Sequence, residues 1–246
     1  EWFQLFQIGF GGVPGRPVGD GPDGHSLWPG FTNVPNEFIE SYFPLRIERY
    51  ETIPDSGGAG LHRGGNGLSV AYCFLCDGDI GIHDDRWLTY PWGVLGGETG
   101  LRSTKKLVRA DGTEEWLPAK VEGIKVKTGD VLYFNTWGGG GWGDPFARDP
   151  ELVLQDVARR LVTVEGARRY GVVIAADGGL GAIGSIGSIG SIDKAATEKL
   201  RAELVAARGT DEALFNFGGD LEDIRSRCEA ETHLPAPVKP TFIGAS

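Results

Sequence analysis

Methionine is absent from this chain of 246 residues, and cysteine occurs only three times. Three cysteines provide no disulfide framework, and an odd count fits a reducing compartment, so we expect a cytoplasmic protein. No apolar run approaches the roughly 18 residues of a transmembrane helix, and no charged N-terminal segment leads into an apolar one. Because the chain starts at Glu1 and lacks methionine, we expect part of a longer polypeptide, or one from which residues have been dropped.

Positive charge is also in short supply, with 24 lysines and arginines against 34 aspartates and glutamates and a formal net charge of -10. The basic residues form no long cluster, which argues against nucleic acid or an anionic membrane as a partner. The phosphate-binding patterns G-x-x-x-x-G-K-S/T and strand-to-helix G-x-G-x-x-G are missing as well. We therefore expect that the chain does not bind ATP by itself, and that its partners are small molecules or proteins.

Glycine, by contrast, is abundant, with 40 residues. It is concentrated in a first glycine tract at residues 54–67 and a second glycine tract at residues 136–145. Unlike flexible linkers, these tracts hold a His-Arg pair and two tryptophans, and strand-like runs flank them. Glycine at this density lets backbones approach each other or a ligand closely. We therefore predict that both tracts are packed backbone at a site.

Alternation of apolar and polar residues is frequent in residues 1–148 and predicts a β-rich domain. Its sheet should be mostly antiparallel, because no helical crossovers connect the strands. Asp111-Gly112 and Thr128–Asp130 are hairpin signals, and a short helix is predicted at residues 36–42 with Asn36 as its cap. The predicted strands lie at residues 2–10, 45–53, 68–76, 79–83, 104–109, 113–117, 121–127 and 131–136.

Residues 149–246 are predicted to form a small helical region, which makes the fold class α+β. Asp149 and Asp193 are each placed to cap a helix. A repeated Gly-Ser-Ile unit within residues 178–192 predicts a flexible loop or an expansion, and a proline-rich tail follows at residues 233–246.

The densest set of titratable residues lies at the end of a predicted strand and consists of His83, Asp84, Asp85 and Arg86. These side chains could supply acid–base groups, metal ligands or an anion clamp. Trp87 and Trp92 follow at once and would add an aromatic wall. The alternative is a network of ion pairs in which Arg86 neutralises the acids.

A second set lies in the glycine tracts, where Arg63 beside His62 could bind a phosphate or carboxylate together with backbone amides. The alternative is that Arg63 braces the tract by binding its carbonyls. Trp142 of the second glycine tract and His25 near the N-terminus complete the candidates, although a lone histidine is more often structural.

Six spaced motifs occur in the same order as in one protein family. Because of these motifs, residues 9–174 resemble the C-terminal half of proteins of the hydantoinase B/5-oxoprolinase family. The motifs are Pro44-Leu-Arg-Ile-Glu-Arg-Tyr50, Asp55-Ser-Gly-Gly-Ala-Gly60, Arg63-Gly-Gly-Asn-Gly67, Asp85-Arg86 with Pro91-Trp-Gly93, Val126-Lys-Thr-Gly-Asp130, and Gly138–Pro145 with Arg148-Asp-Pro150.

The family includes N-methylhydantoinase and 5-oxoprolinase, which hydrolyse cyclic amides with ATP, and acetone and acetophenone carboxylases, which carboxylate ketones with ATP. The resemblance implies barrel-like sheets that lead into polyproline-II-like segments. It also implies a hetero-oligomer in which ATP and Mg²⁺ bind to a hydantoinase A-like kinase subunit, which phosphorylates the substrate. A divalent metal would belong to an N-terminal part outside this chain, so no metal ligand is assigned to it.

The resemblance thus predicts a B-type subunit, or its C-terminal part, that acts on the phosphorylated substrate. In that role Arg63 would hold the phosphate or carboxylate, and His25, or His83 with Asp84, would move protons. Three tryptophans would keep water from the intermediate, namely Trp87, Trp92 and Trp142. Hydrolysis of a cyclic amide and carboxylation of a ketone are both open, and the alternative is a non-catalytic scaffold that docks the kinase-like partner.

Overall fold

The computed structural model describes residues 3–25, 32–175, 190–208 and 213–238. Most of the Gly-Ser-Ile repeat and the last part of the proline-rich tail lie outside these residues. The helices are α1 (Asn36–Tyr42), α2 (Pro150–Ala158), α3 (Lys194–Arg208) and α4 (Leu221–Thr232), with 3₁₀ turns at Pro145–Ala147 and Gly166–Tyr170. The strands are β1 (Leu45–Thr52), β2 (Leu68–Phe74), β3 (Gly78–His83), β4 (Gly93–Val94), β5 (Thr104–Val108), β6 (Glu114–Trp116), β7 (Lys120–Val126), β8 (Val131–Asn135), β9 (Ile174–Ala175), β10 (Ser191–Ile192) and β11 (Phe215–Asn216).

The main sheet has five strands in the order β1-β2-β8-β5-β6, and every neighbouring pair is antiparallel. Strands β3 and β7 pair with each other instead, as a separate antiparallel ladder. The α+β class with mainly antiparallel strands is therefore confirmed. The sheet is not closed into a barrel, however, because β1 and β6 each have one strand neighbour in the described chain.

The first hydrophobic core joins the main sheet, the β3–β7 ladder and α1. Leu107 of β5 is completely buried in it, and full burial of such a side chain stabilises the fold by about 1.5–3 kcal/mol. The other buried members of this core are Ile39, Leu45, Phe74, Ile82, Leu117, Val126 and Leu132.

Three local predictions are wrong. The turn at Thr128–Asp130 does not make a hairpin, because β7 pairs with β3 whereas β8 pairs with β2 and β5. Residues 3–10, most of the predicted strand at residues 2–10, form no strand. In this segment the Phe10 carbonyl accepts a hydrogen bond from the Thr136 hydroxyl at 2.8 Å, a side-chain donor rather than a strand neighbour. Helix α1 has the predicted bounds, but Asn36 is its first residue rather than its cap, because Pro35 occupies the cap position.

The C-terminal region packs on the first glycine tract through a second hydrophobic core. Asp149 caps α2 as predicted, since its carboxylate accepts from the Glu151 amide at 2.9 Å. Asp193 does the same for α3, accepting from the Ala196 amide at 2.9 Å. The buried members of the second core are Ala59 of the tract together with Val153, Val157, Val162, Ala167, Tyr170, Val172 and Ile174.

Helix α4 returns to the β-rich part of the chain, where the buried Arg102 holds it. Arg102 donates to the Glu231 carboxylate, to the Trp87 carbonyl and to the Cys228 sulfur of the same helix. Among the described residues, none of the helices combines the length and the apolar character that crossing a membrane would need.

Candidate functional site

The two glycine tracts are packed directly against each other and against neighbouring backbone. A Cβ added to Gly140 would lie 1.6 Å from the Trp92 carbonyl oxygen, and one added to Gly138 would lie 1.8 Å from the Ser56 oxygen. Real Cβ atoms do not approach so closely, so these positions have room only for glycine. The prediction that the tracts are packed backbone is confirmed.

Many amides of the tracts already donate to carbonyls of the same bundle. The Gly58 amide donates to the Gly139 carbonyl, and the Gly139 amide donates to Gly65, each at 2.8 Å. The Gly141 amide donates to the Glu98 carbonyl, also at 2.8 Å. These N–H groups hold the fold together, so a bound phosphate would have to find other donors.

Asn66 joins the first glycine tract to the C-terminal region from a fully buried position. Its side-chain oxygen accepts from the Gly57 amide at 2.9 Å, and its side-chain nitrogen donates to the Leu161 carbonyl at 2.8 Å. Its backbone amide donates to Asp23 at 2.6 Å. The side chain is therefore part of the framework beneath the site.

Arg63 is buried and belongs to what we call the arginine–aspartate cluster, which consists of Asp20, Asp23, Arg63, Arg148 and Asp156. Its Nη1 donates to Asp23 at 2.8 Å and to the Gly64 carbonyl at 2.8 Å, and its Nη2 lies 3.3 Å from the second Asp23 oxygen. Arg63 therefore braces the first glycine tract, which was the alternative to ligand binding.

Arg148 connects the two remaining acids of the cluster. It makes two hydrogen bonds of 2.7 Å to Asp20 and one of 2.8 Å to Asp156. Burial alone would raise the pKa of Asp20, but the hydrogen bonds and charge of Arg148, together with the backbone amide and charge of Arg63, outweigh it and hold that pKa below its usual value. Burial raises the pKa of Asp156, against the opposing charges of Arg148 and Arg63.

His62 and Trp142 lie at the solvent edge of this cluster. Two backbone hydrogen bonds of 3.0 Å join the two residues, and their rings stack with centroids 5.7 Å apart. His62 Nδ1 lies 3.9 Å from an Asp20 carboxylate oxygen, and its side chain is 26% exposed. The histidine is therefore held on rigid backbone next to a carboxylate, in a position that solvent reaches.

The structure gives separate surroundings to the four titratable residues at the end of β3. His83 is exposed, with Nε2 at 2.5 Å from Glu122, and the exposed Asp85 lies 3.5 Å from Lys120 Nζ. Asp84 points inward and accepts from Lys105 and Ser103. The cations paired with the two aspartates are thus lysines, while the Arg86 guanidinium lies 5.7 Å from the Trp92 ring centroid.

Lys105 is completely buried, an unusual position for a lysine. Its ammonium pairs with Asp84 and lies 4.6 Å from the centroid of the Phe134 ring. Burial lowers the pKa of Lys105 to about 7. Asp84, Lys105 and Ser103 thus form a closed polar group inside the protein, where a substrate has no access.

The remaining tryptophans and His25 lie in different environments. Trp87 is buried and its Nε1 donates to the Leu117 carbonyl at 3.1 Å, whereas Trp92 is 47% exposed. The Trp92 ring contacts two other partly exposed rings at the protein surface. The ring centroids of Phe215 and Phe217 lie 6.2 and 5.3 Å from that of Trp92. His25 is exposed, and its amide donates to the Gly11 carbonyl at 3.0 Å.

The structure thus brings together three of the predicted residues, His62, Arg63 and Trp142. Sequence reasoning missed the partners that surround them, namely Asp20, Asp23, Arg148 and Asp156. One signal was available for Asp156, which lies between Val153 and Val157 on the apolar face of α2, where a charge needs a buried partner. Among the described residues, no group of three His, Cys, Asp or Glu side chains is placed to hold a metal ion.

A family model described as hydantoinase B/oxoprolinase matches residues 1–145. The chain is 33% identical over 176 residues to the B-type component of a putative D-/L-hydantoinase from Pseudomonas sp. strain NS671, covering 70% of this chain and 29% of that protein. It is 35% identical over 173 residues to the beta subunit of the caprolactamase of Pseudomonas jessenii, covering 68% of this chain and 27% of that protein. The chain therefore spans less than a third of the length of these relatives.

Two solved structures have a similar fold. The ATP-dependent caprolactamase from Pseudomonas jessenii matches with a TM-score of 0.60 at 27% identity, covering 78% of this chain and 32% of the solved chain. The nucleotide-free acetone carboxylase matches with a TM-score of 0.61 at 20% identity, covering 78% of this chain and 29% of the solved chain. At that identity the second likeness is one of fold alone.

Proposed function

The chain belongs to the hydantoinase B/oxoprolinase family, and on that premise we propose that it is the C-terminal part of a B-type subunit of an ATP-dependent enzyme that hydrolyses a cyclic amide. The observation that carries the choice of hydrolysis is the 35% identity to a caprolactamase subunit over 68% of the chain. The acetophenone carboxylase delta subunit is a weaker match, at 29% identity over 66% of the chain.

In this proposal ATP and Mg²⁺ bind to a hydantoinase A-like kinase subunit, and the ATP supplies the phosphoryl group that activates the substrate. The contribution of this chain is the edge of the arginine–aspartate cluster. His62 moves a proton there, with its Nδ1 3.9 Å from an Asp20 carboxylate oxygen. Trp142, stacked on His62, limits the access of water to the activated substrate.

A divalent metal is handled by another part of the enzyme in this proposal. The described residues of this chain contain no cluster with the donors for one. No step in this chain is therefore assigned to a metal ion.

A non-catalytic scaffold is the second candidate, and the buried side-chain contacts favour it. Three of the predicted site residues are engaged inside the protein: Arg63 with Asp23, Asp84 with Lys105, and Trp87 with the Leu117 carbonyl. A framework subunit needs such contacts, whereas an enzyme needs side chains that reach the substrate. The two candidates therefore differ mainly in the role of exposed residues such as His62.

The reaction is tested by measuring ATP consumption in the complex with the co-expressed A-type subunit. Caprolactam, a cyclic imide, 5-oxoproline and acetophenone are compared, with and without labelled bicarbonate. We expect ring opening without label in the product. Label captured in product would instead establish a carboxylase, and the absence of substrate-stimulated ATP use would contradict both reactions for these substrates.

The role of His62 is tested by His62→Gln in the same complex, with His233→Asn as the matched control. His233 is exposed at the end of α4 and has a left-handed backbone that asparagine also adopts. Loss of a proton-transfer group lowers turnover by about 10²–10⁴-fold, so we expect a loss of about 100-fold or more for His62→Gln. If His62→Gln, His25→Gln and His83→Gln all retain full turnover in an intact complex, the scaffold hypothesis is correct.

A further inference from the structure

Three buried polar atoms lie around the arginine–aspartate cluster without a hydrogen-bond partner in the described part of the chain. They are Arg63 Nε, Arg148 Nε and Tyr170 Oη. The Arg63 and Arg148 side chains are 5% and 3% exposed, and Tyr170 is 1% exposed. A buried donor without a partner costs free energy, so native proteins rarely leave one unsatisfied.

Two of these side chains, Arg63 and Arg148, converge on one carboxylate, that of Asp156. Arg63 Nε lies 3.9 Å from Asp156 Oδ2, which is beyond hydrogen-bonding distance, while Arg148 Nη2 donates to the same oxygen at 2.8 Å. The Arg148 guanidinium lies 5.9 Å from the centroid of the Tyr170 ring. The two arginines and the carboxylate thus meet between the first glycine tract and α2, and the Tyr170 ring lies beside Arg148.

We propose that this region holds a bound water molecule that links Arg63, Arg148 and Tyr170 to Asp156. A water molecule offers four hydrogen-bonding positions, which matches the four groups present. Polar atoms separated by more than about 3.5 Å are commonly bridged in this way, and buried waters typically satisfy otherwise unpaired polar groups. Burial raises the pKa of Tyr170, while the charges of Arg169, Arg148 and Arg63 act in the opposite direction.

Water fits this region better than an anion because of the charge balance. The arginine–aspartate cluster combines two arginines with three aspartates, so it already carries an excess of negative charge when all five are ionised. The bound water would connect Arg63 of the first glycine tract with α2 and with the 3₁₀ turn at Gly166–Tyr170. It would therefore be a structural link between the two parts of the chain, whichever reaction the enzyme catalyses.

A crystal structure of the protein at about 1.5 Å resolution tests the proposal directly. We expect density for water within about 3.2 Å of the Tyr170 hydroxyl and of at least one arginine Nε. Direct hydrogen bonds among the protein groups, with no density between them, would overturn it. An anomalous peak at this position in a crystal soaked in bromide would also overturn it, because the site would then bind an anion.

Thermal unfolding of Tyr170→Phe gives a second, independent test, because the change in Tm differs in direction between the two outcomes. If water satisfies the hydroxyl, removing it deletes a hydrogen bond, and Tm falls. If the hydroxyl is unsatisfied, removing it relieves a desolvation cost, and Tm is unchanged or rises. Thr232→Val is the control, because the buried Thr232 hydroxyl donates to the Cys228 carbonyl at 2.7 Å, so loss of this known hydrogen bond should lower Tm.

Discussion

The buried pair of Asp84 and Lys105 offers a sharp test of the structure, because removing one charge should be far more damaging than removing both. Asp84→Asn leaves the Lys105 ammonium inside the protein without its counter-charge, and Lys105→Met does the same to the Asp84 carboxylate. Breaking a buried pair from one side costs about 3–5 kcal/mol of the free energy of unfolding. Removing both charges leaves no uncompensated charge inside the protein, so the double variant avoids that cost.

The predicted Tm changes follow from the size of the chain. For proteins of about 150–250 residues, 1 kcal/mol shifts Tm by about 2–4 °C. Each single variant should therefore lose about 6–20 °C, and the double variant Asp84→Asn/Lys105→Met should recover most of that loss. Urea unfolding followed by tryptophan fluorescence measures the same difference as a free energy.

The pH dependence of the Asp84→Asn variant provides a further check on the same pair. Burial lowers the pKa of Lys105 in the folded state to about 7, from 10.5. Between these values the unfolded state binds one more proton than the folded state, so this lysine makes stability rise as pH rises through that window. Asp84→Asn should consequently be less destabilising at pH 9 than at pH 6, because Lys105 can then become neutral.

An exposed pair serves as the control for these measurements. Lys125 and Asp79 lie 2.5 Å apart but are 79% and 55% exposed. Such surface pairs contribute about 0–1 kcal/mol, so Asp79→Asn should change Tm little. If Asp84→Asn and Lys105→Met have effects as small as that of Asp79→Asn, the buried arrangement of Asp84 and Lys105 is refuted.

Two further predictions concern the glycine tracts and the arginine–aspartate cluster. Gly140→Ala would place a Cβ 1.6 Å from the Trp92 carbonyl oxygen, so we expect that circular dichroism will show loss of the folded protein. Gly78→Ala is the control and should fold normally, because the nearest atom to its Cβ would be 3.9 Å away. The pKa of Asp20 is held below 3.8 in the folded state, so its contribution is present above that pH and is lost as pH falls through the folded pKa. Acid unfolding of Asp20→Asn should therefore begin from a lower stability and depend less on pH in this range, and an acid transition identical to that of the parent protein would contradict the role of Arg148.

Strands were the most predictable part of the fold, because a period of two is visible in a short sequence. In β1 the alternation of apolar and polar residues breaks at Arg49, and the structure has a register irregularity between Ile47 and Arg49. Helix α4 was not predicted, since only Ile224, Cys228 and Thr232 of its residues are buried. Its position depends on contacts with Arg102, which is more than a hundred residues away in the sequence.

The candidate site was only partly predictable for a related reason. The sequence identifies which residues are chemically capable, but it does not reveal their partners when these are distant. Neighbours at a strand end also separate, because successive side chains alternate between faces. His83 is accordingly exposed while Asp84 is buried. The acid–base pairing of these two residues, like the other assigned roles, stays a prediction.

The packing of the glycine tracts bears on the choice between an enzyme and a scaffold. Backbones that touch without intervening side chains leave little freedom, so side chains at the border of the tracts are held in fixed positions. His62 and Trp142 are joined there by two backbone hydrogen bonds. Catalytic groups require this kind of rigid support. The internal contacts of Arg63 and Asn66 are therefore compatible with catalysis at the border of the tracts. If His62→Gln lowers turnover but leaves assembly of the complex unchanged, the role of His62 is catalytic rather than structural.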